Sequence, residues 1–249
     1  VKFTNPDYAF DEVSDKNGKA YKKPNFSNSS SISAVGAPDL PSRTTFIAVD
    51  PSKSYSLQVS YGTSRVIENI DIAPRGDWNE LGSDQSIPES DYSNIESFYP
   101  AQIALLSEPM AMRELSLVSL TVSPFRYFPQ EKRLEEFMDI EVELIETGNR
   151  ESINFFPNKR SRAFEPLYES IVENYSSLNR ENIPYQRPSI LYVLPNNIGN
   201  LLGTVEVLMD WKRRMGYEVN YVSSSAIVNN ANNLKNYIET AYEAWDNPP

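Results

Sequence analysis

Among the 249 residues there is no cysteine and no histidine. Neither a Cys-His nor a Ser-His pair can form within this chain, and zinc sites built on those ligands are excluded with them. Disulfides are absent for the same reason, so cysteine usage leaves no record of the redox compartment. Glycine is scarce, 9 residues against 18 prolines. No apolar run approaches the ~18 residues that a membrane-crossing helix requires. Basic residues are the minority, 23 against 34 acidic, and the net charge is −11. Phosphate is bound by clustered Lys and Arg, so nucleic acid is not an expected partner. The balance fits a soluble extracellular protein. The opening residues VKFTNPDYAF lack the charged start and apolar core of a signal peptide, so export implies that the signal is already removed.

What is present is organised around residues 189–247. Ile190 to Leu194 is a short apolar run ended by Pro195 and Asn196, the length and punctuation of a buried strand. Leu201, Val205, Leu208, Met209, Lys212 and Met215 then recur at helical spacing, and Gly216 follows as a C-cap. Tyr217, Val219 and Tyr221 alternate with polar neighbours as a second strand. A strand, helix, strand unit of this length pairs its strands in parallel. Leu234, Tyr237, Ile238, Ala241, Tyr242 and Trp245 line one face of a last helix, ended by Pro248 and Pro249. An open α/β sheet needs more than two strands to cover its helices, so further sequence is expected beyond this unit.

Upstream the chain reads differently. Residues 1–35 are polar and serine-rich, and predict a loosely held N-terminal arm with one short strand at most. A strand is expected through Phe46 to Val49, another through Tyr55, Leu57, Val59 and Tyr61, and more β structure to Ile72. Leu115, Leu117, Leu120 and Val122 change phase, which predicts a bulge, and their expected hairpin partner is Met138 to Leu144, across SPFRYFPQEKR. Glu135 and Glu136 read as solvating residues of that exposed hairpin. Short strands without a helix-length pattern predict an all-β sandwich over about residues 36–147. Phe164 to Tyr175 predicts a helix within 161–178. The expected organisation is an arm (1–35), an antiparallel β-sandwich (36–150), a helical linker (151–187) and an incomplete α/β unit (188–249), an α+β multidomain chain.

Residues 75–98 interrupt the strands and are long for a loop, a class that is functional or disordered in compact domains. The basic run Lys212, Arg213, Arg214 closes a helix, where cations offset the dipole. GNLLG at 199–203 lacks the glycine spacing of a phosphate loop. Trp211 and Trp245 read as core residues.

Six segments in order carry a family resemblance: GAPDLPSRT (36–44), IAP (72–74), FYPAQIALLSEPMAMREL (98–115), SPFRYFPQEKRL (123–134), FEPLYESIVENY (164–175) and the α/β stretch with DWK and AYEAW. The chain resembles the precursors of the gingipain-type (C25) cysteine peptidases over most of residues 36–249. The resemblance implies a secreted zymogen, a β-sandwich prodomain that blocks the active site, and the start of a caspase-like catalytic domain. The catalytic Cys and His would lie beyond Pro249, and the partners are the remainder of that domain and a peptide or protein substrate.

The family's inhibitory loop corresponds to residues 75–86, with Arg75, Trp78 and Leu81 as candidate inhibitory residues. In arginine-specific members a basic residue from that loop enters the specificity pocket. Here Arg75 is the loop's only basic residue, while counting from the IAP anchor reaches Leu81, so arginine specificity does not follow. The bland alternative is a solvated acidic loop. Arg180 in NYSSLNR stands where the family's prodomain is released. The alternatives are an ordinary surface arginine, or a cut at Lys159, Arg160 or Arg162. No cofactor is implied, and structural calcium on scattered carboxylates is left open. A different reading takes Trp78, Tyr92 and Tyr99 as exposed aromatics of a carbohydrate- or surface-binding module, and a third takes the chain as a scaffold of a secretion or adhesion system.

Overall fold

A computed structural model describes residues 1–4, 7–31, 33–78, 85–87, 92–95, 97–151 and 160–249. The chain divides into two units, Val1–Met110 with Ser116–Ile153, and Ala111–Leu115 with Asn154–Pro249.

Through residue 149 the elements are all strands: β1 (Lys2–Phe3), β2 (Ala9–Ser14), β3 (Ala20–Asn25), β4 (Ser30–Ser31), β5 (Pro41–Ala48), β6 (Lys53–Ser60), β7 (Thr63–Ile67), β8 (Asp77–Trp78), β9 (Gln85–Ser86), β10 (Ala104–Leu106), β11 (Met110–Met112), β12 (Leu115–Val122), β13 (Phe125–Phe128), β14 (Arg133–Met138) and β15 (Ile140–Asn149). The sheets run β1-β15-β6, β10-β12-β5-β4 with β11 against β12, and β13-β14-β7, alongside the two-stranded β2-β3 and β8-β9 ribbons. One apolar cluster gathers Ile47, Val118, Leu120, Val122, Phe137, Ile140 and Val142. A second gathers Phe26, Leu40, Ile70, Ile72, Phe125, Tyr127 and Leu134.

Several expectations are corrected. The N-terminal segment is not loose. β2 and β3 pair from Ala9↔Asn25 to Ser14↔Ala20, and Phe26 belongs to the second cluster. Tyr8 Oη donates to Glu136 Oε2 at 2.9 Å, and Arg65 Nε donates to the same oxygen at 2.9 Å. Glu136 is thus a buried, paired carboxylate rather than a solvating one, because a lone ionised group could not be buried there cheaply. The expected hairpin is also redistributed. β12 pairs with β5 and β10, whereas β15 pairs with β6 and β1. The segment 123–134 is itself a strand connection, β13 folding back on β14.

No bulge interrupts β12, whose register against β5 runs unbroken from Leu117↔Ala48 to Val122↔Arg43. Its phase change arises because a central strand with both faces covered loses its alternation. The irregularity lies in β15, between Glu146 and Gly148.

In the second unit, α1 (Glu165–Ile171) stops about one turn short of Tyr175, where its side-chain spacing would carry it. The backbone turns extended at Val172 and resumes as a 3₁₀ turn at Tyr175–Ser177. β16 (Ser189–Val193) and β17 (Glu218–Val222) pair in parallel from Ser189↔Glu218 to Val193↔Val222. Between them runs α2 (Leu201–Arg214), and Gly216 follows it at φ +93°, the left-handed geometry that glycine adopts without a Cβ penalty. A short α3 (Ser225–Val228), unforeseen, precedes α4 (Ala231–Ala244). α4 is capped by Asn230, whose side chain accepts from the amides of Asn232 and Asn233. Met209 and Ala241 are buried. Trp211 is 53% exposed on α2 and is not a core residue.

Candidate functional site

The loop that begins at Arg75 is fixed at its base. Gly36, at φ +84°, turns the chain so that its amide donates to Arg75 O (2.9 Å), and Arg75 N donates to Ala37 O (2.7 Å). Asp39 N donates to Ala73 O (2.8 Å), and on the other side Ala73 N donates to Lys22 O (2.9 Å). Residues 71–75 are therefore clasped between the 36–39 turn and β3. Beyond that clasp the chain ends of the loop come together again, with Asp77 opposite Ser86 and Trp78 opposite Gln85. Leu81 lies outside the described residues, and Trp78 is placed by its backbone alone.

Under the clasp sits Asp39, 3% exposed. Its two oxygens face Lys23 Nζ at 2.8 Å and Arg75 Nη1 at 3.4 Å. Burial works to raise its pKa, but hydrogen bonds from Lys23 and Ser31 and the charges of Lys23 and Arg75 outweigh burial, and the carboxyl is held below its usual range. Arg75 is thereby committed to its own loop base. A cavity of about 410 Å³ opens here, lined among others by Asp11, Lys23, Ser31, Asp39 and Arg75.

The second candidate, Arg180, is not a surface arginine. It is 7% exposed and sits in a closed ring of polar groups within the second unit. Arg180 Nη2 donates to Glu114 Oε1 (3.2 Å), and Arg180 Nη1 donates to Tyr175 Oη (2.8 Å). Tyr175 Oη donates to Glu165 Oε2 (2.7 Å), Arg160 Nε donates to Glu165 Oε1 (2.9 Å), and Arg160 Nη1 returns to the carbonyl of Arg180 (3.0 Å). Glu114 is buried as well, accepting from Tyr168 Oη (3.0 Å) and from the amide of Ser161 (3.2 Å). Burial and the Glu114 charge push the Tyr168 phenol well up. Burial and its bond to Glu165 push Tyr175 up to about 12. Both tyrosines therefore remain neutral donors at physiological pH, which suits them to bridge charged groups.

A family model, Propeptide_C25, matches residues 1–176, ending four residues before Arg180. The chain belongs to the C25 propeptide family. Gingipain R2 of Porphyromonas gingivalis is 27% identical over 99% of this chain. Gingipain R1 of the same species is 26% identical over 99% of it. The chain spans about a third of the length of gingipain R2 (34%) and a quarter of gingipain R1 (25%). Among solved structures, a complex of Porphyromonas gingivalis RgpB pro- and mature domains is 24% identical, with a TM-score of 0.59 over 71% of this chain and 91% of that one. A structure described as showing the zymogenic latency of gingipain K has a TM-score of 0.50, at 17% identity over 59% of this chain. The described residues of this chain are mostly β-sheet with few helices, the fold shared with the RgpB complex.

Within this C25 propeptide two of the three aromatics expected on the surface, Tyr92 and Tyr99, are half-buried instead. Tyr92 Oη donates to Ile72 O (2.8 Å) and its ring meets Tyr127 edge-on, while Tyr99 exchanges two backbone bonds with Tyr127. Both pack on the second apolar cluster, so they offer no open aromatic platform for a sugar. Sequence reasoning missed Asp39 and Glu114. The signal for each was slight, one acid inside the APDLP turn and one inside the MREL turn. Among the described residues no group of three or more acidic side chains is arranged to hold a metal ion. No described helix is long and apolar enough to cross a membrane.

Proposed function

We propose that this chain is the inhibitory prodomain of a secreted cysteine endopeptidase zymogen, joined to the opening strands of a caspase-like catalytic domain. The observation that carries the proposal is the loop 75–86. It is clasped at its base by backbone bonds on both sides, buttressed by the buried Asp39, and closed at its neck by the Asp77–Ser86 pair. A loop anchored at its base and neck has less freedom to lose on entering a partner's cleft, which reduces the entropic cost of occupying it. Arg75 does not fill the specificity pocket, because its guanidinium is engaged at the base. Leu81, midway along the loop in sequence, and Trp78 are the residues assigned to the cleft. Arginine selectivity therefore does not follow from this loop.

The nucleophilic Cys and its His partner belong to the rest of the catalytic domain, where a thiolate beside an imidazole attacks the scissile carbonyl. Val207, Leu208 and Trp211 on α2, together with Val193 and Tyr221 on the parallel strands, are exposed apolar residues that further strands of such a domain would cover. Release of the prodomain is assigned to a cut after Arg180.

The test is inhibition in trans. The purified chain, added to an active C25 peptidase from the same source, is expected to suppress peptide hydrolysis at micromolar concentration. The variants Leu81→Asp and Trp78→Ala are expected to weaken that suppression at least tenfold. Hydrolysis unaltered by micromolar chain overturns the proposal.

A further inference from the structure

The assignment of Arg180 as the processing site conflicts with its burial, and the conflict has a mechanistic reading that rests on that assignment. We propose that the Arg180–Glu181 bond is latched shut, with Glu114 as the latch, so that cleavage there requires the latch to open first.

Four separate hydrogen bonds hold the site. A peptidase that cuts after arginine recognises the guanidinium through an acidic, hydrogen-bonding pocket. Glu114 and Tyr175 already supply that pocket, at 3.2 and 2.8 Å, and the rings of Tyr168 and Tyr175 lie 6.0 and 5.5 Å from the guanidinium carbon. The guanidinium cannot occupy both pockets at once. The scissile carbonyl is also engaged, accepting from Arg160 Nη1 (3.0 Å) and from the amide of Ile183 (3.1 Å). The Ile183 bond closes a turn, whereas a peptidase cleft takes its substrate as an extended strand. Hydrolysis adds one water across the Arg180 C–N bond, leaving a carboxylate on Arg180 and an amine on Glu181. Each of these four bonds must release before water can be delivered to that carbon.

Glu114 comes from a part of the sequence 66 residues upstream, in Ala111–Leu115, which clusters with the second unit rather than the first. The latch is therefore tertiary, and it forms only once the second unit has folded around this turn. Cleavage is consequently gated by loosening of this folded unit rather than by simple exposure of a linker. Arg162 provides a contrast nearby. It is exposed, and its guanidinium lies over the Tyr185 ring at 4.8 Å.

The experiment is limited trypsin digestion of the whole chain, with initial rates at Arg180–Glu181 and Arg162–Ala163 followed by mass spectrometry. Each rate is divided by the rate at the same bond in urea-unfolded chain. Arg180 is expected to be protected at least tenfold more than Arg162. In Glu114→Gln, protection at Arg180 is expected to fall at least tenfold while that at Arg162 holds. Equal protection of the two bonds in the native chain overturns the latch, as does a Glu114→Gln variant with native circular dichroism and an unchanged Arg180 rate.

If Glu114→Gln loses its fold, both bonds accelerate together, and Tyr175→Phe then decides. It removes the hydroxyl that bridges the guanidinium to Glu165, and should speed the Arg180 cut alone by about threefold or more; no change there overturns the proposal. The trypsin ratios read the latch whichever bond the natural peptidase takes. N-terminal sequencing of the product of a C25 peptidase reads the processing assignment separately.

Discussion

Arg75 and Asp39 meet at 3.4 Å across the base of the candidate inhibitory loop, with the carboxylate almost wholly buried and also held by Lys23. Removing that one charge leaves two cations facing each other over a neutral amide. Asp39→Asn is expected to cost about 1–3 kcal/mol, less than a fully buried pair because both cations are partly solvated. Urea unfolding of the chain measures this, and trans-inhibition by the same variant should weaken, since the base that anchors the loop is loosened.

Two carboxyls tie stability to pH. Asp39 is held below its usual range against burial, by Lys23, Ser31 and Arg75. Glu165 is held low in the same way, against burial, by hydrogen bonds from Arg160 and Tyr175. A depressed folded-state pKa means that the unfolded chain binds protons first. The stabilisation is therefore complete above the unfolded values near pH ~4 and is lost as pH falls through the folded ones. Urea midpoints between pH 7 and 3 should drop steeply below about pH 4. Asp39→Asn should flatten part of that drop, and an unchanged slope in the variant would contradict the assignment.

Gly216 isolates a purely conformational term. Its φ is +93°, and a Cβ built there meets nothing within 4 Å. Gly216→Ala therefore creates no clash and should cost about 1–2 kcal/mol from the left-handed backbone alone. Gly216→Asn should cost less, since asparagine tolerates that region better. Thermal or urea melts of the two variants give the comparison, and equal losses would assign the cost to something other than backbone.

The C-terminal α/β segment was the most legible part of the chain, because its signals are local: an apolar run, a 3.6-residue period, and a glycine where α2 must stop. The β unit was legible as strands but not as pairings. Leu115–Val122 and Ile140–Leu144 are close in sequence, and sequence proximity favours a hairpin. The structure instead gives β12 to β5, about 70–80 residues upstream, where both of its faces are covered. The N-terminal segment was misread for a related reason. Its polar residues signal disorder, but what orders it is remote, Tyr8 reaching Glu136 and Lys22 clasping Ala73. The candidate site followed the same division. Loop 75–86 and Arg180 could be found by position, while Asp39 and Glu114, which hold them, come from elsewhere in the sequence.

α2 offers a contrast within one helix. Met209 is 1% exposed and packs inside the second unit, whereas Val207 and Trp211, two residues to either side, are 72% and 53% exposed. Positions two apart point about 200° away from each other around a helix, so the two sets face opposite environments. Met209→Ala should cost about 2–5 kcal/mol, as expected for emptying a packed site. Val207→Lys and Trp211→Lys should each change stability by no more than about 0.5 kcal/mol, the range of surface substitutions. If the exposed face is where further strands of the catalytic domain settle, the two lysine variants should leave the isolated chain's urea midpoint unmoved and reduce the yield of active peptidase when placed in the full precursor. A midpoint lowered as much as in Met209→Ala would mean that Val207 and Trp211 already serve this unit, and the reading of that face as a seam would fail.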